Sequence, residues 1–133
     1  MSMKKIIIVE DETILQKALS IELLGAGFQV MSAQDGEAGL ALIQKEIPDL
    51  VLLDLTMPKL SGFDVLTALK KEKSTNSIPV VILSNLGQDE DKAKGLKLGA
   101  VDYYVKSSTD LSELTEKIKK LIPARHSSGV GGV

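Results

Sequence analysis

The feature that most constrains the fold is a set of short apolar runs separated by segments with helical spacing. Four runs are rich in β-branched residues and leucine, at residues 6–9, 50–53, 80–83 and, more weakly, 101–105. Apolar runs without polar alternation are typical of parallel strands buried on both faces of a sheet. A fifth run, residues 28–33, alternates more and is expected nearer a sheet edge.

The segments between these runs predict five helices. Ile14, Ala18 and Ile21 indicate a first helix that ends near residues 25–27, and others are expected over residues 36–46, 61–73 and 89–98. The last begins after Asp110 and stops at Pro123, with an apolar stripe between them. A strand–helix order repeated five times predicts an α/β fold, a doubly wound five-stranded parallel sheet with helices on both faces.

Length and composition indicate one domain. The chain has 133 residues, of which 44% are hydrophobic and 26% charged, a balance typical of a soluble globular protein with one core. We expect this domain over residues 1–123. Residues 124–133 have no periodicity and are expected to form a flexible tail, so His126 within it is not expected to take part in chemistry.

Charge and composition also exclude several classes of function. Sixteen basic and 18 acidic residues give a formal net charge of -2, which argues against direct binding to nucleic acid. No apolar run approaches the roughly 20 residues that span a bilayer, so no membrane segment is expected. The chain has no cysteine, which suits a reducing compartment. We therefore expect a cytoplasmic protein.

Polar residues follow four of the predicted strands. Glu10, Asp11 and Glu12 follow the first strand, and Asp54 follows the third. A hydroxyl and a cation follow the last two strands, at Ser84 and Lys106. Because parallel strands end at one sheet edge, where α/β proteins place their sites, these side chains are expected to converge.

This set of residue types points to metal-assisted phosphoryl chemistry. Clustered carboxylates repel one another unless a cation lies among them, and an all-oxygen cluster suits Mg²⁺. Asp11 and Asp54 are the expected direct ligands, and Glu10 is expected to reach the metal through water, with direct binding as the alternative. Asp54 could then attack a phosphoryl group whose oxygens are held by the metal, Lys106 and Ser84. Glu12 is expected in the first turn of the first helix, facing solvent.

These residues resemble the receiver domain of two-component response regulators, a CheY-like, flavodoxin-like fold. The resemblance covers residues 4–122 and rests on Val-Glu-Asp-Glu, Leu-Leu-Asp-Leu-Thr-Met-Pro, Ile-Leu-Ser and Gly-Ala-Val-Asp-Tyr-Tyr-Val-Lys, in that order along the chain. It implies a phosphoacceptor signalling domain rather than an enzyme, one that assists only its own phosphorylation and dephosphorylation. The implied roles are metal binding by Glu10, Asp11, Asp54 and the Thr56 carbonyl, phosphoryl acceptance by Asp54, phosphate binding by Lys106, and switching by Ser84 and Tyr103.

The resemblance also implies partners. A sensor histidine kinase or a histidine phosphotransfer protein would donate the phosphoryl group, and the surface of helix 4, strand 5 and helix 5 would bind a downstream protein. The implied oligomeric state is a monomer or a phosphorylation-dependent dimer. Tyr103 would turn inward as Ser84 moves toward the phosphate, with Tyr104 on the opposite face.

Three positions near the site bear on how it works. Receivers usually have proline after the lysine with a cis bond, whereas Ser107 follows Lys106 here, and we predict a trans bond because a cis bond without proline costs about 3 to 4 kcal/mol. Asn85 replaces a small residue, which would narrow access to Asp54. Leu86, beside the site, suggests slow loss of phosphate.

Three other interpretations fit parts of the pattern. A phosphatase of the haloacid dehalogenase type would need a second aspartate where Thr56 stands. A flavodoxin-like FMN carrier would need a phosphate cradle where the acidic residues follow strand 1. The third is a receiver that is never phosphorylated and serves only as a protein-interaction module. Ser107, which replaces the usual proline after Lys106, is the residue that favours this alternative.

Overall fold

A computed structural model describes residues 3–123 of the chain. Five strands and five helices alternate along it. The strands are β1 (Lys5–Val9), β2 (Gln29–Ala33), β3 (Leu50–Leu53), β4 (Val80–Ser84) and β5 (Asp102–Val105). The helices are α1 (Thr13–Gly25), α2 (Gly36–Glu46), α3 (Gly62–Lys71), α4 (Asp89–Lys97) and α5 (Leu111–Leu121). The predicted tail and His126 lie outside the described residues.

The strands form one parallel sheet in the order β2-β1-β3-β4-β5. The predicted α/β fold is therefore confirmed, and so is the edge position of the second strand. The side chains of β3 and β4 are all buried, as their unbroken apolar runs indicate, whereas β2 is largely exposed or half-buried. An edge strand pairs with only one neighbouring strand and is less buried, which explains why β2 combines polar and apolar residues.

Helices cover both faces of the sheet, so the core has two parts. One part lies between the sheet and α2 to α4 and includes Ile7, Leu53 and Leu66, and the other lies under α1 and α5 and includes Ile8, Leu19 and Ile118. Within residues 3–123, no helix is long and apolar enough to cross a membrane.

Helix α1 buries a different face from the one its most apolar residues suggest. Ile14 is 85% exposed and Ile21 is 71% exposed, while Gln16, Leu19 and Leu23 are buried. The sequence thus predicted the helix but not its orientation, because apolar residues lie on both faces. At α5 the predicted start after Asp110 is confirmed: the Asp110 carboxylate caps the helix by accepting hydrogen bonds from the backbone N–H groups of Ser112 and Glu113.

Candidate functional site

The register of the sheet brings the predicted site residues to one edge. Val9 pairs with Leu53, and Leu53 pairs with Ile82, so the next residues Glu10 and Asp54 lie side by side at the carboxyl ends of β1 and β3. The strand order reverses between these two strands. Such a switch point is where open parallel sheets place their binding sites.

Three of the predicted carboxylates converge there. Glu10, Asp11 and Asp54 each offer an oxygen, and these atoms lie within 4.8 Å of one another. Glu10 and Asp54 are each 2% exposed, whereas Asp11 is exposed. Buried oxygen donors with one open side suit a hard divalent cation that keeps part of its water shell. We call these three residues the carboxylate cluster.

The Lys106 ammonium lies against this cluster, although its side chain comes from the far edge of the sheet. Its Nζ is 2.9 Å from Glu10 Oε1, 2.7 Å from Glu12 Oε2 and 3.2 Å from Asp54 Oδ2. Only 8% of the lysine side chain is exposed. One ammonium among several carboxylates leaves the site net negative, which favours binding of a further cation.

Burial and charge shift the pKa values of this group. Removal from water raises the pKa of Glu10 to about 7, because burial outweighs the hydrogen bonds donated by the Glu12 backbone and by Lys106. Burial lowers the pKa of Lys106, but its hydrogen bonds to Glu12 and Glu10 and the charge of Asp54 outweigh burial and raise the pKa overall. Lys106 is therefore a permanent cation, whereas Glu10 can exchange a proton near neutral pH.

Glu12 corrects part of one expectation. It is exposed, as expected, but it is the N-cap residue that precedes α1 rather than a residue of its first turn, and its carboxylate accepts a hydrogen bond from Lys106. Its backbone N–H also donates to Glu10 Oε2 at 3.0 Å. The turn from β1 into α1 brings Glu12 back over the strand end, where its carboxylate contacts Lys106. The sequence feature that could have indicated this role is the third consecutive acidic residue after the strand.

Gln16 is a site residue that sequence reasoning missed. It is 9% exposed, and its Nε2 donates to the carbonyl oxygens of Glu10 at 3.2 Å and Ala33 at 3.4 Å. These bonds hold the end of β1 against β2 and fix the backbone of Glu10. Gln16 lies on the same helix face as Leu19 and Leu23, so its burial could have been predicted from the sequence only if the buried face of α1 had been known.

The loop after β3 fits closely around Asp54. The Thr56 N–H donates to Asp54 Oδ1 at 3.3 Å, and the Gly62 N–H donates to the Leu55 carbonyl at 2.9 Å. A Cβ at Gly62 would lie 2.1 Å from the Asp54 carbonyl oxygen. Only glycine therefore allows α3 to begin directly against the backbone of Asp54.

Ser84 and Tyr103 lie on the other side of Asp54. Ser84 is fully buried at the end of β4, one register step beyond Asp54, and its Oγ accepts a hydrogen bond from the Leu86 N–H at 3.2 Å. Tyr103 is only 9% exposed and donates its hydroxyl to the Leu86 carbonyl. Its ring already points inward beside Gly95, where a Cβ would lie 3.2 Å from the ring. We call Ser84, Leu86, Gly95 and Tyr103 the Tyr103 pocket.

Two further expectations at β5 are confirmed. Tyr104 packs into the core part opposite to that of Tyr103 and donates its hydroxyl to Asp102. Residues 3–123 contain no cis peptide bond, so the bond from Lys106 to Ser107 is trans. Lys106 opens a single 3-10 turn that ends at Ser108.

The family model of the response regulator receiver domain matches residues 6–119. The chain belongs to the response regulator receiver family. This receiver is 42% identical over 119 residues to the probable transcriptional regulator ycf27 of Cyanophora paradoxa, covering 90% of this chain and 48% of the relative. It is 39% identical over 120 residues to the DNA-binding dual master transcriptional regulator RpaA of Synechocystis sp., covering 90% and 49%.

Solved structures agree with this assignment. The chemotaxis response regulator CheY4 of Vibrio cholerae superposes with a TM-score of 0.83 at 27% identity, covering 91% of this receiver and 100% of that chain. By contrast, the receiver spans about half the length of the curated relatives it matches. The family match argues against the phosphatase and the FMN carrier that the sequence pattern left open.

Proposed function

We propose that this receiver is a phosphorylation-dependent signalling switch in which Asp54 accepts a phosphoryl group from a sensor histidine kinase or a histidine phosphotransfer protein. The observation that carries the proposal is the position of the buried Asp54 carboxylate, between acidic residues able to hold a metal and the Lys106 ammonium 3.2 Å away. In this proposal the domain covers residues 1–123 and acts as a phosphoacceptor, assisting its own phosphorylation and dephosphorylation only.

The residues present fit a Mg²⁺ ion. The carboxylate cluster supplies three oxygen donors from two adjacent strand ends, and the Thr56 backbone carbonyl is proposed as a fourth. When bound, Mg²⁺ would neutralise negative charge on the phosphoryl oxygens. The negative excess around Lys106 supports this assignment, because an incoming phosphoryl group would otherwise be repelled by the same carboxylates.

The protein's own residues account for the rest of the transfer. An Asp54 carboxylate oxygen attacks the phosphorus in line, the bond from phosphorus to the donor histidine nitrogen breaks, and its electron pair stays on the imidazole. Lys106 and the Ser84 hydroxyl bind oxygens of the transferred group. The product is an acyl phosphate, with a charge of about -2 in place of the -1 of Asp54.

The added charge has a route to the surface through the Tyr103 pocket. Ser84 now accepts a hydrogen bond from Leu86, and Tyr103 donates to the same residue. Recruitment of the Ser84 hydroxyl to a phosphoryl oxygen would disturb this loop and with it the surface of α4, β5 and α5. Couplings of this kind are typically about 1 to 3 kcal/mol, enough to change the affinity for a partner.

We propose that the output of this stretch of chain is binding to a downstream protein, as a monomer or a phosphorylation-dependent dimer in the cytoplasm. Its formal charge of -2 does not favour direct contact with DNA. The relatives named for transcriptional regulation are about twice as long as the matched region.

Intact-mass measurement after incubation with acetyl phosphate tests the proposal. We expect an adduct of one phosphoryl group with Mg²⁺, none in excess EDTA, and none on Asp54→Asn. Asp64→Asn, at an exposed aspartate in the first turn of α3, is the matched control and should be modified like the wild type. Absence of the adduct on wild-type protein would instead support a protein-interaction module that is never phosphorylated.

A further inference from the structure

Glu12 and Lys106 form the shortest ion pair at the site. The distance from Lys106 Nζ to Glu12 Oε2 is 2.7 Å, against 2.9 Å to Glu10 and 3.2 Å to Asp54. The glutamate side chain is 53% exposed, so the pair contributes little to folding stability. It differs from the other two pairs in that Glu12 is exposed, whereas Glu10 and Asp54 are buried.

Glu12 differs from the other two partners of Lys106 in its relation to the metal. Glu10 and Asp54 belong to the carboxylate cluster, and Glu12 does not. A divalent cation in the cluster therefore competes with Lys106 for two of its three partners, since both are attracted to the same anions. Glu12 is the partner whose charge the metal leaves available.

The backbone near Lys106 does not by itself aim the side chain. The bond to Ser107 is trans, and the following turn is held by hydrogen bonds from the Ser108 and Thr109 hydroxyls to the Val105 carbonyl. These bonds fix the main chain from 105 to 109. The lysine side chain has four rotatable carbon–carbon bonds beyond it and a compact charge that tolerates many directions. Within the limits of its buried position, the ammonium is directed by the carboxylates that bind it.

We propose that Glu12 is the positioning residue for Lys106: it keeps the ammonium beside Asp54 when a metal occupies the carboxylate cluster. The proposal rests on the proposed function and deepens it, because Lys106 acts on the phosphoryl group through the place where Glu12 holds it. Glu12 itself touches neither the metal nor the phosphoryl group. In this receiver the carboxylate performs the aiming that a constrained backbone after the lysine would otherwise provide.

Phosphorylation kinetics with acetyl phosphate and saturating Mg²⁺ test the proposal. We expect Glu12→Gln to slow adduct formation about tenfold, since misplacement of a reacting group by an ångström can cost up to about a hundredfold. Glu12→Asp keeps the charge one methylene shorter and should recover part of the rate. Glu37→Gln removes an exposed glutamate from the first turn of α2 and should leave the rate unchanged.

A double-mutant comparison separates positioning from a general effect of charge. Removing a negative charge near the site should, by itself, speed the approach of an anionic donor. In a Lys106→Gln background, Glu12→Gln should therefore no longer slow the reaction, because there is no ammonium to position. A Glu12→Gln rate equal to or above that of the wild type would overturn the proposal, as would the same slowing without the lysine. Thermal midpoints within about 3 °C of the wild type exclude misfolding.

A second readout needs no phosphodonor. The Lys106 side-chain NMR resonances, assigned with Lys106→Arg, are followed during a Mg²⁺ titration. In the wild type we expect them to remain those of a held ammonium, and in Glu12→Gln to shift to those of a free, mobile lysine. Identical titrations would refute the role of Glu12 even if Asp54 is phosphorylated. A difference in the titrations without any adduct on Asp54 would refute the proposed function alone.

Discussion

On one side of Asp54 the structure buries charges, and on the other side it buries an aromatic ring. Glu10 and Asp54 of the carboxylate cluster are buried and form ion pairs with the buried Lys106 side chain. The Tyr103 pocket is held by packing and by two neutral hydrogen bonds to Leu86. Charges respond strongly to an added ion or phosphoryl group, whereas a packed ring has a few discrete positions. The first side is therefore suited to chemistry and the second to reporting it.

The largest expected effect comes from the backbone beneath the charged side. Gly62→Ala places a Cβ 2.1 Å from the Asp54 carbonyl oxygen, and backbone cannot move aside cheaply. We expect a loss of about 3 kcal/mol in the free energy of unfolding, measured by urea denaturation. Gly25→Ala, at the end of α1 with nothing within 4 Å of its Cβ, is the control and should be neutral or slightly stabilising. Equal effects would show that α3 does not pack against Asp54 as described.

Sequence predicted the site residues at strand ends better than those on helices. Glu10, Asp11, Asp54 and Lys106 were found because residue type and position after a strand carry the signal, and a parallel sheet brings such ends together. Gln16 on α1 and Gly95 on α4 were not predicted. They depend on which way a helix is rotated about its axis, and apolar residues on both faces of α1 leave that rotation undetermined.

The next largest effect concerns pH and the charged side. The pKa of Glu10 in the folded protein is about 7, above its ordinary value of 4.5. Folding therefore favours the protonated form of Glu10. The free energy of unfolding should rise as pH falls from about 7 toward 4.5, and this added stability should be lost as pH rises through about 7. We expect a change of about 2 kcal/mol in the metal-free protein, measured by urea denaturation at each pH. Glu10→Gln should remove most of this dependence. A profile for Glu10→Gln that parallels the wild type would assign the effect to another group.

A smaller effect is expected from crowding the packed side. In Gly95→Ala the new Cβ would lie 2.7 Å from Ile82 Cδ1 and 3.2 Å from the Tyr103 ring, and both side chains can shift. We expect a loss of about 1 kcal/mol, because the better helix propensity of alanine offsets part of the overpacking. The ring should also move outward. The chain has no tryptophan and two tyrosines, so Tyr104→Phe leaves Tyr103 as the sole fluorescent reporter. The accessibility of Tyr103 is measured by quenching of this fluorescence with a dissolved quencher. Equal quenching with and without Gly95→Ala would mean that Gly95 does not define the space for the ring.

The smallest effect is that of one hydroxyl group. Tyr103→Phe keeps the ring and removes the hydrogen bond to the carbonyl of Leu86, a half-buried residue. We expect a loss of about 0.5 to 1 kcal/mol in urea denaturation, with NMR shifts confined to residues near Ser84 and Leu86. Tyr104→Phe is the matched control, because its hydroxyl binds Asp102 on the opposite face and should leave those shifts unchanged. If both variants moved the Ser84 signals alike, the two sides of the sheet would be coupled through β5 itself. The hydrogen bond to Leu86 would then not be the connection between Tyr103 and the site.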